Sequence, residues 1–306
     1  MVIPRIPIIK GTWSHIFNPC QTYFIERTTK FNRNHWYTND HCFVKGSDNL
    51  WHSYGIIGYK VLGFAFSWII EKNLFHITSD SLIGNKWVEH DYALSADPLK
   101  GELHAWAPHV IIKNEIYYMF YAAGNLRPFS TFTGPHGRIQ LSTSENGFDW
   151  SLSEWNPIFS GPGDARDPMI FEHDNMYFAY YTSSYNEKDM HSCVSVRKSS
   201  DLLHWSGPKI AFIYPGRTSM WAGNTESPFV VQYEDIFYLF VCHAIDKYNL
   251  TSVYWSNDPK FFPNQNKVCD LNAHASEIIF DEKEGWFISN TGWDKQGLYL
   301  TSLKWD

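Results

Sequence analysis

The chain has 306 residues, enough for one large domain or two ordinary ones, and is 44% hydrophobic and 19% charged. That composition excludes a disordered chain, and no apolar run reaches the roughly 18–20 residues that a membrane helix needs. The formal net charge is −7 with no basic cluster, so neither a nucleic acid nor a membrane is expected as a partner.

In chain order, residues 1–35 match no repeating unit. They are expected to close a blade or to form an arm against a second subunit, so the protein is read as a monomer or a homodimer. The start, "MVIPRIPIIKGTWSHIF", carries two prolines and no clean signal-peptide core, and a cytoplasmic location is expected. The five cysteines, Cys20, Cys42, Cys193, Cys242 and Cys269, are scattered and contain no CxxC pair. They suggest neither a zinc site nor a disulfide framework.

From residue 36 onward, five segments align. They are "NDHCFVKGSDNLWHSYGI", "WAPHVIIKNEIYYMFYAAG", "ARDPMIFEHDNMYFAYYTS", "NTESPFVVQYEDIFYLFVCHA" and "HASEIIFDEKEGWFISNTG". Each has a polar head, an apolar triplet, a polar turn and an aromatic strand. With Cys42, Pro108, Pro168, Pro228 and Glu277 as anchors, an aromatic follows nine residues later in every unit: Trp51, Tyr117, Tyr177, Phe237 and Trp286. Such recurrence is explained by packing, so these five are expected in the core.

A second pattern follows the first four units. "ITSDSLIGNKW", "LSTSENGFDW", "VRKSSDLLHW" and "YWSNDPKFF" each read as a strand, a polar turn and an aromatic. The anchors lie 66, 60, 60 and 49 residues apart, room for a four-stranded blade with its loops. The expected fold is all-β, a five-bladed β-propeller over residues 36–306. A single blade cannot bury both faces, and a closed ring can. The competing fold is a β-sandwich with coincidental spacing.

The heads open the innermost strands, so their polar residues converge on the axis. Asp40, Asp167 and Glu226 come from three heads, His274 and Glu277 from a fourth, and Trp106 and His109 from the second. Carboxylates around one cavity raise one another's pKa and separate into acid and base roles, which is what glycosidic bond cleavage requires. Arg166 beside Asp167 is expected as electrostatic support or a substrate contact. Trp106 and Trp221 are candidate platforms for a sugar ring, with His109 at the rim.

"RDP" after a Gly-rich turn, "WAPHVIIKNEIYYMFYAAG", "TESP" and "HASEIIF…GWFISNTGW" resemble the five-bladed glycoside hydrolases. These include the arabinanase/xylosidase group (family 43), the fructosidase group (family 32) and the neoagarooligosaccharide hydrolase group (family 117). "WYTNDHCFVKG" is most similar to the family 117 opening; it also resembles the "NDPNG" opening of the fructosidases, but its missing Pro and Gly argue against a standard fructosidase, so the chain is expected to lie closest to families 43 and 117. The resemblance implies Asp40 as catalytic base, or as nucleophile if configuration is retained. It implies Asp167 as holder of the sugar hydroxyls and Glu226 as general acid. No cofactor is expected, although an axial water or metal ion found in some relatives would lie near His274.

The function expected is an exo-acting, inverting glycoside hydrolase that takes a short oligosaccharide or glycoside. A glycoside phosphorylase and a non-catalytic sugar-binding propeller are the alternatives. A sialidase-like reading would need three arginines, and Arg166 is the Arg found at a recognised head.

Overall fold

In a computed structural model of the chain, the described residues are 3–19, 36–59, 71–84, 86–124, 137–161, 163–185, 192–215, 225–243, 248–292, 294–295 and 297–306. They form five antiparallel sheets arranged as the blades of a β-propeller. Among them no helix is long and apolar enough to cross a membrane. The inner strands are Trp36–Lys45, His104–Lys113, Ala165–His173, Glu226–Tyr233 and Ile278–Asp281. Each pairs with the strand that follows it in sequence, as hairpin connections dictate.

The second strand of each blade is buried almost throughout, as in Ile116–Gly124 and Met176–Ser184. Neighbouring blades cover both of its faces, so these strands read as near-continuous apolar runs rather than as a clean alternation. The core is correspondingly a chain of side chains between blades. Phe120, Tyr121, Tyr181 and Ala179 join the second and third blades, and Phe240, Tyr238, Ile288 and Trp305 join the fourth and fifth.

Pro7–Phe17 pairs with Leu298–Trp305 as the outermost strand of the fifth blade. The ring is therefore joined by strands from opposite parts of the chain. Phe17 packs on Phe75 of the first blade with ring centroids 4.9 Å apart.

The outer turns repeat as closely as the inner hairpins. Ser79, Ser144, Ser199 and Ser256 each accept, through the hydroxyl oxygen, the backbone N–H two residues on, at 3.0–3.3 Å. These are hydroxyl-capped turns, which explains why the four outer motifs share a Ser at that place.

One register expectation is corrected. Tyr117, Tyr177, Phe237 and Trp286 pair with Ile112, Glu172, Gln232 and Phe280, each one residue before the end of its inner strand. Trp51 instead pairs with Lys45, the last residue of its strand, and His52 takes the matching position opposite Val44. The first hairpin crosses through five residues, 46–50, where the second, third and fourth blades use two. The longer connection offsets an anchor set two residues late, so the nine-residue spacing there is accidental. Trp51, Tyr117, Tyr177 and Phe237 are buried, and Trp286 is partly buried against the core.

Candidate active site

Four inner strands carry a bulge near the head, where two residues face one on the neighbouring strand: Asn39–Asp40, Ala107–Pro108, Asp167–Pro168 and Ser227–Pro228. In the fifth blade Ala275–Ser276 take the matching place just ahead of Ile278–Asp281, between the backbone bonds from Thr291 N–H to the His274 carbonyl and from Ser289 N–H to the Glu277 carbonyl. Ala107, Asp167, Ser227 and Ala275 adopt left-handed φ values of 46–53°. Bulges re-aim side chains and end regular pairing. Here residues of all five pairs line one narrow axial cavity of about 20 Å³.

Asp40, Asp167 and Ser227 line that cavity. Glu226 stands immediately before the fourth bulge, and Arg166 immediately before the third. The Arg166 guanidinium is buried and lies 2.5 Å from Asp164, 3.6 Å from Asp167 and 3.5 Å from Glu226. Burial alone disfavours its charge, but Asp164, Asp167 and Glu226 together hold its pKa above the ordinary arginine value. Asp164 is itself fixed by the backbone N–H groups of Gly137 (2.7 Å) and Ala165 (2.9 Å). A buried cation ringed by anions satisfies the condition for placing Arg inside a protein.

The acids repel one another and are dehydrated. Burial and the Asp167 charge push Asp40 up to about 7, against the hydrogen bond from Ser227, its own backbone N–H and the Arg166 charge. Glu226 rises to about 8 through burial, relieved by Arg166 and reinforced by Asp167 and Asp40. Asp167 is raised by burial and held down by Arg166 and by the Ser227 backbone N–H, 3.1 Å from Oδ2. Protons are therefore shared across the cluster near neutrality.

Two further acids border the site. Glu71, buried at the end of the connection leading to the third strand of the first blade, accepts the Tyr37 hydroxyl at 2.5 Å. Burial pushes it to about 8, with Asp40 and Glu226 adding to the rise and Tyr37 and Trp106 opposing it. Glu277 lines the cavity on the fifth blade, where burial and Asp40 raise its pKa well above the usual range.

The remaining residues singled out in the sequence are distributed more widely. His109 lies beyond its bulge, below the rim where it was expected. Its ring is buried, with Nε2 3.2 Å from the Ile170 carbonyl and Nδ1 4.0 Å from Glu277, and burial lowers its pKa to about 4. Trp106 is buried and stacks on His104 with ring centroids 3.7 Å apart, so one face of the expected sugar platform is already covered. Trp221 lies outside the described residues. His274 is stacked on Tyr248 at 3.6 Å, with Nδ1 2.7 Å from the Tyr248 carbonyl and 2.9 Å from Cys242 Sγ, and Nε2 3.1 Å from Asn39 Oδ1. Burial lowers it to about 3. It is a neutral residue with both ring nitrogens engaged. No group of three or more His, Cys, Asp or Glu among the described residues is arranged to hold a metal ion.

Sequence reasoning passed over Ser227, Asp164 and Glu71. Ser227 and Asp164 each sat within two residues of a chosen site residue, in "TESP" and "GDARDP". Glu71 had no such signal, because it belongs to no repeated head.

No curated protein matches the chain. Among solved structures, a thermostable family 43 glycoside hydrolase superposes with a TM-score of 0.65 at 19% identity, covering 88% of this chain and 89% of that one. The family 32 β-fructofuranosidase of the silkworm Bombyx mori gives a TM-score of 0.65 at 16% identity, over 92% of this chain and 65% of that one. A family 117 glycoside hydrolase of the marine bacterium Zobellia galactanivorans gives 0.64 at 11% identity, over 99% of this chain and 90% of that one. At these identities the likeness establishes the five-bladed fold alone. Residues 33–228, well over half of the chain and spanning Asp40, Asp167 and Glu226, match the family described as glycosyl hydrolases family 32 N-terminal domain, so the chain belongs to that family and is a glycoside hydrolase.

Proposed function

We propose that this hydrolase acts from a chain end, releasing one terminal sugar from a short oligosaccharide or glycoside bound at the mouth of the axial cavity. The observation that carries the reading is a cluster of acids from three blades: Asp40 and Asp167 line the cavity and are both held by Ser227, and Arg166 ties Asp167 to Glu226 beside it. Glu226, with a pKa near 8, keeps its proton at neutral pH and is the general acid for the leaving oxygen. Asp40 accepts a hydroxyl and its own backbone N–H, donors that favour the carboxylate, and it works from the opposite side. Asp167, fixed by Ser227 and Arg166, holds sugar hydroxyls. Inversion, the outcome expected from the sequence resemblance, makes Asp40 the base that activates water. A product of retained configuration would make it the nucleophile.

The test is a hydrolysis screen on aryl glycosides and short plant and algal oligosaccharides, with and without phosphate, run on wild type and Glu226→Gln. Release of a monosaccharide that the variant loses supports the reading, and NMR of the fresh product gives the anomer. Turnover that requires phosphate would replace hydrolysis by phosphorolysis. Saturable binding without turnover in both proteins would replace it by sugar recognition alone.

A further inference from the structure

Ser227 contacts two of the site's acids at once. Its hydroxyl donates to Asp40 Oδ1, a residue 187 positions away in sequence on another blade. Its backbone N–H donates to Asp167 Oδ2 at 3.1 Å. The left-handed φ of 47° at Ser227 takes the backbone out of the regular ladder with Ile236–Cys242 at this point. The amide is thereby left for a side-chain acceptor.

The fold does not need the hydroxyl. Alanine occupies the matching position in the second and fifth blades, with φ values of 46° for Ala107 and 47° for Ala275. A methyl side chain is thus compatible with this backbone at two places in the same molecule. Among the described residues the extra oxygen of Ser227 has one partner, the Asp40 carboxyl.

We propose that Ser227 is a positioning residue for the reaction, its hydroxyl orienting and ionising Asp40 while its amide orients Asp167. The residue immediately after the acid Glu226 thus sets the geometry of the other two carboxyls. This deepens the hydrolase reading above and rests on it for the role of Asp40. The charged and titratable groups that interact with Asp40 among the described residues are Arg166 and Asp167 on the third blade, Glu226 and the Cys242 thiol on the fourth, Glu277 on the fifth and Glu71 on its own. Ser227 is the neutral side chain beside them that donates to Asp40. A hydroxyl that donates to a carboxylate favours the ionised form, so its removal makes Asp40 harder to ionise.

The experiment compares wild type, Ser227→Ala and Ser227→Cys, all with Glu226 intact. The Asp40 carboxyl is followed by carbon-13 NMR titration, its signal assigned by its loss in Asp40→Asn. In Ser227→Ala the Asp40 midpoint is expected to move up by about one to two pH units. The acid limb of kcat/KM moves with it and KM stays close to wild type. The thiol of Ser227→Cys, a weaker donor, recovers part of the shift. An unchanged Asp40 midpoint in a folded Ser227→Ala protein overturns the proposal. If the wild type cleaves no glycoside, the hydrolytic reading fails on its own, while the NMR titration still decides whether Ser227 controls Asp40.

Discussion

Arg166 Nη1 lies 2.5 Å from Asp164 Oδ2, and both side chains are buried. This pair fixes one edge of a planar guanidinium whose other edges face Asp167 and Glu226. Lysine offers a single point charge and cannot serve three acids from one plane. Arg166→Lys is expected to reduce kcat/KM by at least tenfold and to raise the pKa of Glu226, because the cation that holds it down is displaced. Steady-state kinetics across pH on purified variant and wild type would reveal this. A variant with wild-type rates would mean that Arg166 serves folding alone.

Activity should follow a narrow bell in pH. As the proposed base, Asp40 has to lose its proton, so kcat/KM is expected to rise as pH climbs through about 7. As the proposed acid, Glu226 has to keep its proton, so kcat/KM is expected to fall as pH passes about 8. The two apparent values belong to the coupled cluster as a whole. A pH–rate profile on the best substrate checks this, and an optimum near pH 5 would contradict the dehydrated, mutually repelling arrangement. Asp40→Asn and Asp167→Asn, like Glu226→Gln, are expected to cost about 10²- to 10⁴-fold in turnover with an unchanged circular dichroism spectrum.

The same cluster lowers stability at alkaline pH. Glu226 is raised in the folded protein to about 8, above its ordinary value of 4.5. Between those two pH values the folded state therefore holds a proton that the unfolded state has released, and stability declines as pH rises through the folded pKa. Replacing this acid by its amide removes the loss. Glu226→Gln should melt higher than wild type at pH 9, by on the order of a few degrees, and the difference should vanish near pH 4. Thermal unfolding at the two pH values tests it, and a gain present equally at both would point to a cause other than ionisation.

Closure of the ring should be sensitive to one aromatic. Phe17 is 6% exposed and joins the strand Pro7–Phe17 to Phe75 on the first blade. Phe17→Ala opens a cavity where the last blade meets the first, at an expected cost of about 3–5 kcal/mol. Denaturant unfolding would report it, and an unchanged midpoint would show that this contact does not hold the ring.

The repeat was legible because it is a packing constraint. Pro108, Pro168 and Pro228 mark three of the bulges, and the outer-turn serines recur for one hydrogen-bonding reason. Asp40, Asp167 and Glu226 could be picked out because they interrupt that repeat at its heads. Where connection length varied, spacing misled, as at Trp51. Glu71 was hidden for a different reason. It reaches the site from a connection between strands, and no periodicity predicts which buried acid a loop will deliver. Ser227 carried no signal of its own, because its partner Asp40 lies 187 positions away on another blade.

The hydrogen bond from Ser227 to Asp40 spans 187 positions of chain, and Asp40, Asp167 and Glu226 sit on three separate blades. No contiguous fragment shorter than residues 40–227 contains these three acids and Ser227. Synthesis therefore cannot deliver a partly competent enzyme, because the first blade waits for the fourth before any of its chemistry has a partner. Catalytic competence is an all-at-once property of the finished circle, and a glycosidase assay on this protein doubles as a readout of whether that circle has been completed.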